Sequence, residues 1–568
     1  MTNPKRTWWK EAVVYQIYPR SFRDSNGDGI GDLRGIIEKL DYIQSLGVDV
    51  VWLNPIYQSP NDDNGYDISD YRDIMAQFGS MADFEEMLAG MHQRGIKLIM
   101  DLVVNHSSDE HEWFRQSRRS RDNPYRDYYY WWPAEKGKPP YRWSFFDVNS
   151  EAWQFDPPTN AYYLHYFSIK QPDLNWENPQ VRREVYDLMR FWLDKGIDGF
   201  RIDVAAFFSK ELPFREIPEE EITRQYGSWP DYYAKGPRLH EFLQEMHREV
   251  LAHYDIMTVG EGSGVQIGDA LDFVAEERRE LHMFFHFDGM CLDRDPRDPQ
   301  LPRPGGWRLR EFKEVYSRWD AVFKEQGWGS IYLGNHDQSR VVSRWGDDRP
   351  EYREASAKLL HTFLLSMRAT PYIYYGDELG MTNIRFDSIA AYDDLMTKNY
   401  YQQLLQKGLH TEAARFLEGQ KRLSRDNGRT PMQWHAGPHA GFTDGTPWLK
   451  VNPNHREINA ERQEPDENSV LNYLRRMIRV RKANPVLIYG DYHLLAPEHE
   501  QLYAYTRTLA ISRALVLLNF SAQEVPFELP ADFREAEILI NNRDFLAREG
   551  TRVQLQAYQA LILLAREA

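Results

Sequence analysis

Cysteine is almost absent from this chain of 568 residues. The single Cys291 excludes an internal disulfide and a cysteine-based zinc site. Long apolar runs are missing too, and none approaches the roughly 20 residues that a helix needs to cross a bilayer. The opening stretch MTNPKRTWWKEAVVYQ has no apolar segment followed by a small-residue cleavage site, so no secretory signal and a cytoplasmic location are expected. Basic residues are in deficit, 69 against 86 acidic, and the net charge of −17 argues against nucleic acid or an anionic membrane as partner. There is no P-loop, no HExxH helix and no serine in a recognisable nucleophile elbow, which removes three common chemistries.

Aromatic residues, by contrast, are plentiful: 14% of the chain, with 34 Tyr and 17 Trp. Flat rings with polar edges suit a sugar, whose faces carry C–H groups and whose rim carries hydroxyls. The length implies two to four domains, and a monomer is expected. Along the chain one pattern recurs, in which an amphipathic helical stretch gives way to a short β-rich run with a polar end. The runs are VVYQIYP (13–19), VDVVWLNP (48–55), KLIMDLVVNH (97–106), GFRIDVA (199–205), IMTVGE (256–261), HMFFHFD (282–288), GSIYLGNHD (329–337) and TPYIYYGDE (370–378). Between them, DLRGIIEKLDYIQSLG repeats apolar residues every three or four positions and stops at Gly47, as a helix does. Eight strands alternating with helices imply an α/β fold, a closed (β/α)8 barrel with polar strand ends gathered at one mouth.

Two departures enlarge that plan. A Tyr- and Trp-rich stretch, 105–175, is too long for a βα loop and is expected to form a small inserted domain after the third strand. Its run YRDYYYWW (125–132) reads as the core of that domain rather than as a sugar platform. From about 488 to 568, short alternating segments, including LYAYTRT, ALVLLNF and ALILLA, predict a C-terminal antiparallel β-domain. The barrel then comprises 1–104 and 176–487.

The stretch DGFRIDVAA (198–206) poses a question, because Arg201 and Asp203 interrupt an apolar strand. Residues two apart point to one face, so two opposite charges would enter the interior together. The other strand ends explain them. The third offers Asn105 and His106, the fifth Glu261, the seventh His336 and Asp337, while Asp67 lies in the NGYD loop after the second. Several carboxylates around one pocket suit glycoside hydrolysis, which needs an acid for the leaving oxygen and a second carboxylate across the ring. Arg201 would keep Asp203 ionised, and neighbouring acids would raise the pKa of Glu261.

DLVVNH, GFRIDVAAF, VGEGSG and LGNHDQ resemble the four signature segments of the α-amylase superfamily of glycoside hydrolases. QPDLN (171–175), SRDNGRTPMQW (424–434) and GDELGMTN (376–383) resemble its oligo-1,6-glucosidase branch, and the likeness runs from about residue 8 to the C-terminus. The resemblance implies that Asp203 is the nucleophile, Glu261 the acid/base, and Asp337 the carboxylate that grips sugar hydroxyls in the transition state. It also implies that Asp67, His106, Arg201, His336 and Arg425 bind the non-reducing glucose, with Tyr66 as the platform beneath it. Val204 after the nucleophile fits enzymes that prefer α-1,6 links. The expected substrates are short α-glucosides such as isomaltose, isomaltulose or trehalulose.

Sucrose isomerase is the alternative, favoured by GPRLHEFLQEMH (236–247), WGDDRPEYREASAK (345–358) and LDRD (292–295). Those enzymes usually carry Thr at the position of Val204 and an aromatic clamp around the acid/base. Here one clamp position is Ser263, while Phe285 is a candidate for the other, so hydrolysis is expected. Trehalose-6-phosphate hydrolase is a lesser alternative, as it needs a basic phosphate pocket. Non-catalytic transporter subunits of this fold lack the carboxylates and carry a membrane helix, unlike this chain.

The loop DSNGDGIGD (24–32) alternates Asp24, Asn26 and Asp28 with small residues, as an EF-hand loop begins. Its twelfth position is Gly35 rather than Glu, so a shorter loop is expected, completed by the Ile30 carbonyl and Asp32. Hard oxygen donors suit calcium or magnesium in a structural role, which the resemblance supports.

Overall fold

The computed structural model describes residues 6–147, 151–223, 229–324 and 326–566. Eight parallel strands form the central sheet: β1 (Val14–Ile17), β2 (Val50–Leu53), β3 (Lys97–Leu102), β4 (Gly199–Ile202), β5 (Met257–Glu261), β6 (Met283–Phe285), β7 (Ser330–Tyr332) and β8 (Thr370–Tyr374). Each of the eight expected runs contains one of them. They are ordered β6-β5-β4-β3-β2-β1-β8-β7 by backbone ladders. Side chains bridge the remaining seam, where Ser330 Oγ donates to the Phe284 carbonyl at 2.7 Å and Tyr332 Oη to that of His286 at 2.9 Å. The ring is therefore closed, a (β/α)8 barrel.

Its strands are buried on both faces, which is why they read as nearly continuous apolar runs. One glycine is dictated by sterics. Gly199 opens β4 at φ +143°, and a Cβ there would lie 1.9 Å from the Met257 carbonyl oxygen of β5. The register places Arg201 of β4 opposite Asp101 of β3 and Val259 of β5. The charged pair of DGFRIDVAA thus enters an interior that already holds a second acid.

The stretch expected as one helix after the metal-like loop is two, Leu33–Glu38 and Leu40–Leu46. Lys39 leaves helical geometry between them and places its ammonium 4.3 Å from the ring centre of Trp434. Gly47 closes the second in the left-handed conformation, as expected.

Within the insertion, strands Trp131–Pro133, Ala161–Leu164 and Trp153–Asp156 form a small antiparallel sheet. Tyr128, Tyr129 and Tyr130 are buried, and Trp131 packs against Phe114 and Tyr163, so the aromatic run is core. The segment returns through QPDLN, where Asp173 pairs with His106 and Leu174 with Tyr129 in isolated bridges. Lys210, after β4, anchors that return. Its side chain is fully buried and reaches Asp173 Oδ2 at 2.8 Å, Asn105 Oδ1 at 2.9 Å and the Phe207 carbonyl at 2.7 Å.

The last helix before the C-terminal strands runs over Pro485–Tyr489, and the first strand begins at Asp491, so the helical region extends slightly past 487. A five-stranded antiparallel sheet follows, containing Leu502–Leu509, Ser512–Asn519 and Ala560–Arg566, together with a three-stranded one. Between them lies a second apolar core of Leu515, Leu517, Val553, Leu561 and others. Among the described residues no helix is long and apolar enough to cross a membrane.

Candidate active site

Arg201 organises the mouth of the barrel. It is 1% exposed and donates through Nη1 to Asp101 Oδ1 at 2.7 Å and Asp203 Oδ1 at 2.5 Å, and through Nη2 to Glu261 Oε2 at 2.6 Å. One guanidinium therefore serves three carboxylates. Asp101 is itself buried and accepts from Trp52 Nε1 at 2.9 Å. Burial drives the Asp203 carboxyl well above its ordinary pKa; Arg201 opposes this, while the charges of Glu261 and Asp101 and a hydrogen bond with Glu261 reinforce it. The expectation that Arg201 keeps Asp203 ionised is corrected here, because the cation is shared three ways.

Glu261 ends β5, where its Oε2 also faces the Val204 amide at 3.2 Å and its Oε1 accepts from Ser263 Oγ at 3.2 Å. Val204 adopts φ +35°, ψ +46°. A β-branched residue in the left-handed region is strained, and here the strain turns its N–H toward the acid. Phe285 cannot be half of an aromatic clamp: it is 1% exposed and packs against Trp52, Tyr332 and Tyr372 inside the barrel. Phe287, two residues past the end of β6, is only half-buried.

Asp337 is the opposite case to Asp203. Burial would raise its pKa, but His336, Arg425 and Arg429 outweigh that and hold it far below the carboxylate range. Arg425 Nη1 and Arg429 Nη2 reach its Oδ1 at 3.0 and 3.1 Å. His336 Nδ1 lies 2.9 Å from Gln16 Nε2, which can only donate, so the His336 proton is on Nε2, 3.3 Å from Asp337 Oδ2. Burial lowers the His336 pKa to about 3 and that of His106 to about 4, so both rings are neutral donors at neutral pH. His106 Nε2 sits 3.1 Å from the Tyr66 carbonyl. Tyr66 stacks on His336 with ring centres 5.2 Å apart and planes within 3°, its hydroxyl held by Asn54 Nδ2 at 2.8 Å.

Asp67 is not at the mouth as expected. It is 0% exposed and its oxygens accept from Ser59 Oγ and the amides of Asp62 and Asp63 at 2.9–3.1 Å, so its carboxylate shapes the loop. The acid that faces the cluster is Asp63, missed in the sequence. Its Oδ1 lies 3.6 Å from Arg425 Nη2, and burial, partly offset by Arg425 and Arg429, raises its pKa to about 7. Asp394, also missed, takes the Nε and Nη2 of Arg425 at 2.9 and 2.5 Å. The pair Asp62-Asp63 three residues before Tyr66 was the available signal. The remaining expected residues, Asp203, Glu261, Asp337, Arg201, His336, His106, Tyr66 and Arg425, form one connected cluster.

The glycine-rich loop is held by its own side chains. Asp24 accepts the amides of Asn26, Gly27 and Gly29, Asn26 that of Asp28, and Asp28 that of Ile30, all at 2.8–2.9 Å. Asp32 caps the helix Leu33–Glu38 through the Gly35 amide and binds Ser25. Among the described residues no three His, Cys, Asp or Glu side chains converge on a metal position. What the loop supplies is a set of hard oxygen donors, the carboxylates of Asp24, Asp28 and Asp32 and the side-chain amide of Asn26.

Chemically, the mouth combines two carboxyl groups held by one guanidinium, a third carboxylate kept low in pKa by His336, Arg425 and Arg429, and neutral hydrogen-bond donors. Residues 16–490 match the alpha amylase catalytic domain, and residues 492–562 the maltogenic amylase C-terminal domain. The chain is 53% identical over 565 residues to an oligo-1,6-glucosidase from Parageobacillus thermoglucosidasius, covering 99% of this chain and all of that protein. It is 44% identical to a trehalose-6-phosphate hydrolase from Bacillus subtilis (strain 168), covering 99% of each. An isomaltulose synthase variant from Erwinia rhapontici NX5, solved with its natural substrate sucrose, superposes with a TM-score of 0.95 at 45% identity, with full coverage of both chains. The carboxylates and arginines at the barrel mouth, the inserted sheet and these full-length matches agree, and the chain belongs to the α-amylase family of glycoside hydrolases.

Proposed function

We propose that this chain is a retaining α-glucosidase that removes the non-reducing terminal glucose of short α-1,6-linked sugars, with Asp203 as nucleophile and Glu261 as acid/base. Asp203 attacks the anomeric carbon while Glu261 gives its proton to the leaving glycosidic oxygen, forming a glycosyl-enzyme. Glu261 then takes a proton from water, which displaces Asp203, and the two inversions retain the α configuration. The geometry supports this division, because Arg201 Nη1 and Nη2 hold Asp203 and Glu261 side by side and Ser263 Oγ donates to the outer oxygen of Glu261. Asp337, kept ionised by His336, Arg425 and Arg429, is suited to grip hydroxyls and stabilise positive charge at the ring.

Hydrolysis is favoured over isomerisation of sucrose by Ser263. Its hydroxyl, not an aromatic ring, lies 3.2 Å from Glu261 Oε1, and Phe285 is buried in the barrel, so water is not screened from the acid/base on that side. Isomaltose, isomaltulose, maltose and sucrose, incubated separately and resolved by chromatography, test this. Rapid glucose release from the α-1,6-linked sugars is expected. Conversion of sucrose to isomaltulose or trehalulose with little free glucose would instead make the enzyme an isomerase.

Asp63 is assigned to the glucose pocket and Asp67 to the loop beneath it. Asp63→Ala is expected to lower kcat/KM by about 100-fold at nearly unchanged thermal stability, the loss of one charged hydrogen-bonding group to the sugar. Asp67→Asn should show the reverse emphasis, a lower melting temperature with a smaller kinetic defect. Equal kinetic losses without destabilisation would return Asp67 to the pocket.

The loop Asp24–Asp32 is proposed to hold calcium or magnesium through Asp24, Asn26, Asp28, the Ile30 carbonyl and Asp32. The cation would tie the loop to the helix that Asp32 caps and carry no part of the chemistry. Chelation with EDTA should lower the melting temperature by several degrees, and calcium should restore it. An unchanged melting curve would identify a polar turn without a metal.

A further inference from the structure

Although acidic residues outnumber basic ones by 86 to 69, one cleft outside the catalytic cluster reverses the balance. It has a volume of about 610 Å³, and of the five charged residues lining it Arg385, Arg415, Lys421 and Arg422 are basic and Glu418 alone is acidic. Lys421 pairs with Glu418 at 3.0 Å and with Asp387 at 3.5 Å, but these acids are 73% and 95% exposed. Arg385 pairs with Asp348 and is itself half exposed. The two Lys421 pairs, solvated on the acid side, are weak and exchange readily for a better anion. Among the described residues the side chains of Arg415 and Arg422 make no ion pair or hydrogen bond. Asp295 and Asp298 feel the charge of Arg415 without contacting it.

The ordinary reason for cations here does not account for all four. Lys421 and Arg422 lie in the last turn of the helix His410–Leu423, where they offset its dipole. Arg415 belongs to an earlier turn of that helix, and Arg385 to the segment after β8. Opposite them, Leu301 and Pro302 form an apolar wall, and Gly419 lets the helix approach it, since a Cβ there would lie 2.8 Å from Pro302 Cδ. The adjoining Asn383 is fully engaged, accepting from the Arg340 amide and donating to the carbonyls of Lys421 and Arg422, so the floor is fixed.

We propose that this cleft binds a small phosphorylated sugar. Arg415 and Arg422 take the phosphate oxygens, for which planar guanidinium donors are suited, Lys421 turns to it from its exposed acids, and Arg385, held by the largely buried Asp348, adds positive charge at the rim. The C–H face of the sugar lies on Leu301 and Pro302, and the volume is that of a small-ligand site. Isothermal titration of the full-length enzyme with glucose 6-phosphate, inorganic phosphate and glucose tests the assignment. Glucose 6-phosphate should bind saturably and more tightly than phosphate, and glucose should not bind in the cleft. The double substitution Arg415→Gln/Arg422→Gln should weaken glucose 6-phosphate binding by at least about ten-fold and leave basal glycoside hydrolysis unchanged. No saturable binding, or binding that survives the double substitution and therefore lies elsewhere, would overturn the proposal. Equal affinity for phosphate and glucose 6-phosphate would overturn the role of the sugar and of the apolar wall.

Discussion

Asp203→Asn is expected to abolish glucose release, lowering kcat by at least about 10⁴-fold, and at the same time to make the protein slightly more heat-stable. The first effect follows from the chemistry, since the amide cannot form the glycosyl ester. The second follows from the crowding around Arg201. Burial and the acids Glu261 and Asp101 hold the folded-state pKa of Asp203 above its unfolded value. An acid with a raised folded pKa costs stability once the pH rises through the unfolded value of about 3.9, and the cost grows until the folded pKa is reached. The amide carries no such cost, and Arg201 keeps Asp101 and Glu261 as partners. A rise in melting temperature of about 1–2 °C at pH 7, shrinking toward pH 4, is therefore expected. A fall in melting temperature would mean that the Arg201–Asp203 contact stabilises the fold more than the crowding weakens it, and would reverse the account of the carboxyl pair.

Lys210→Met should cause the largest loss of stability among single changes near the site, about 3–5 kcal/mol in urea unfolding. Methionine matches the length of the lysine stem but leaves Asp173, whose side chain is 0% exposed, as an uncompensated buried charge beside Asn105. Because Asp173 also accepts the Tyr166 amide at 2.9 Å, it cannot simply turn away. Adding Asp173→Asn should recover much of the loss, since the amide keeps that hydrogen bond and removes the charge. The pair also joins the inserted sheet to the strand ends carrying His106, so KM for the disaccharide should rise in the single variant and recover in the double. An unchanged urea midpoint would show that the return segment holds its position without this ion pair.

The barrel was legible because its strands are short apolar runs that end in polar residues, and because helical spacing fills the gaps between them. DGFRIDVAA was informative for the same reason: two charges in a buried strand are costly unless something inside pairs with them. The aromatic run 125–132 was readable as core by its density alone. Asp63 was less accessible. NDDNGYD offers three acids within six positions, and nothing in their spacing tells which carboxylate the loop consumes. The loop turns so that the amides of Asp62 and Asp63 close on Asp67, leaving Asp63 to meet an arginine 362 positions further along the chain.

The protonation of the site shows the same division. By itself the sequence determined which elements form and which polar residues reach the barrel mouth, because periodicity and strand-end chemistry are local properties. How Arg201 divides itself was decided only by the tertiary structure. Two residues before Asp203, it reads in the sequence as the partner of that carboxylate alone, yet the register of β3, β4 and β5 places Asp101 and Glu261 equally within its reach. Coulomb interactions depend on distance through space and on burial, and both are set by the packing of strands far apart in the chain.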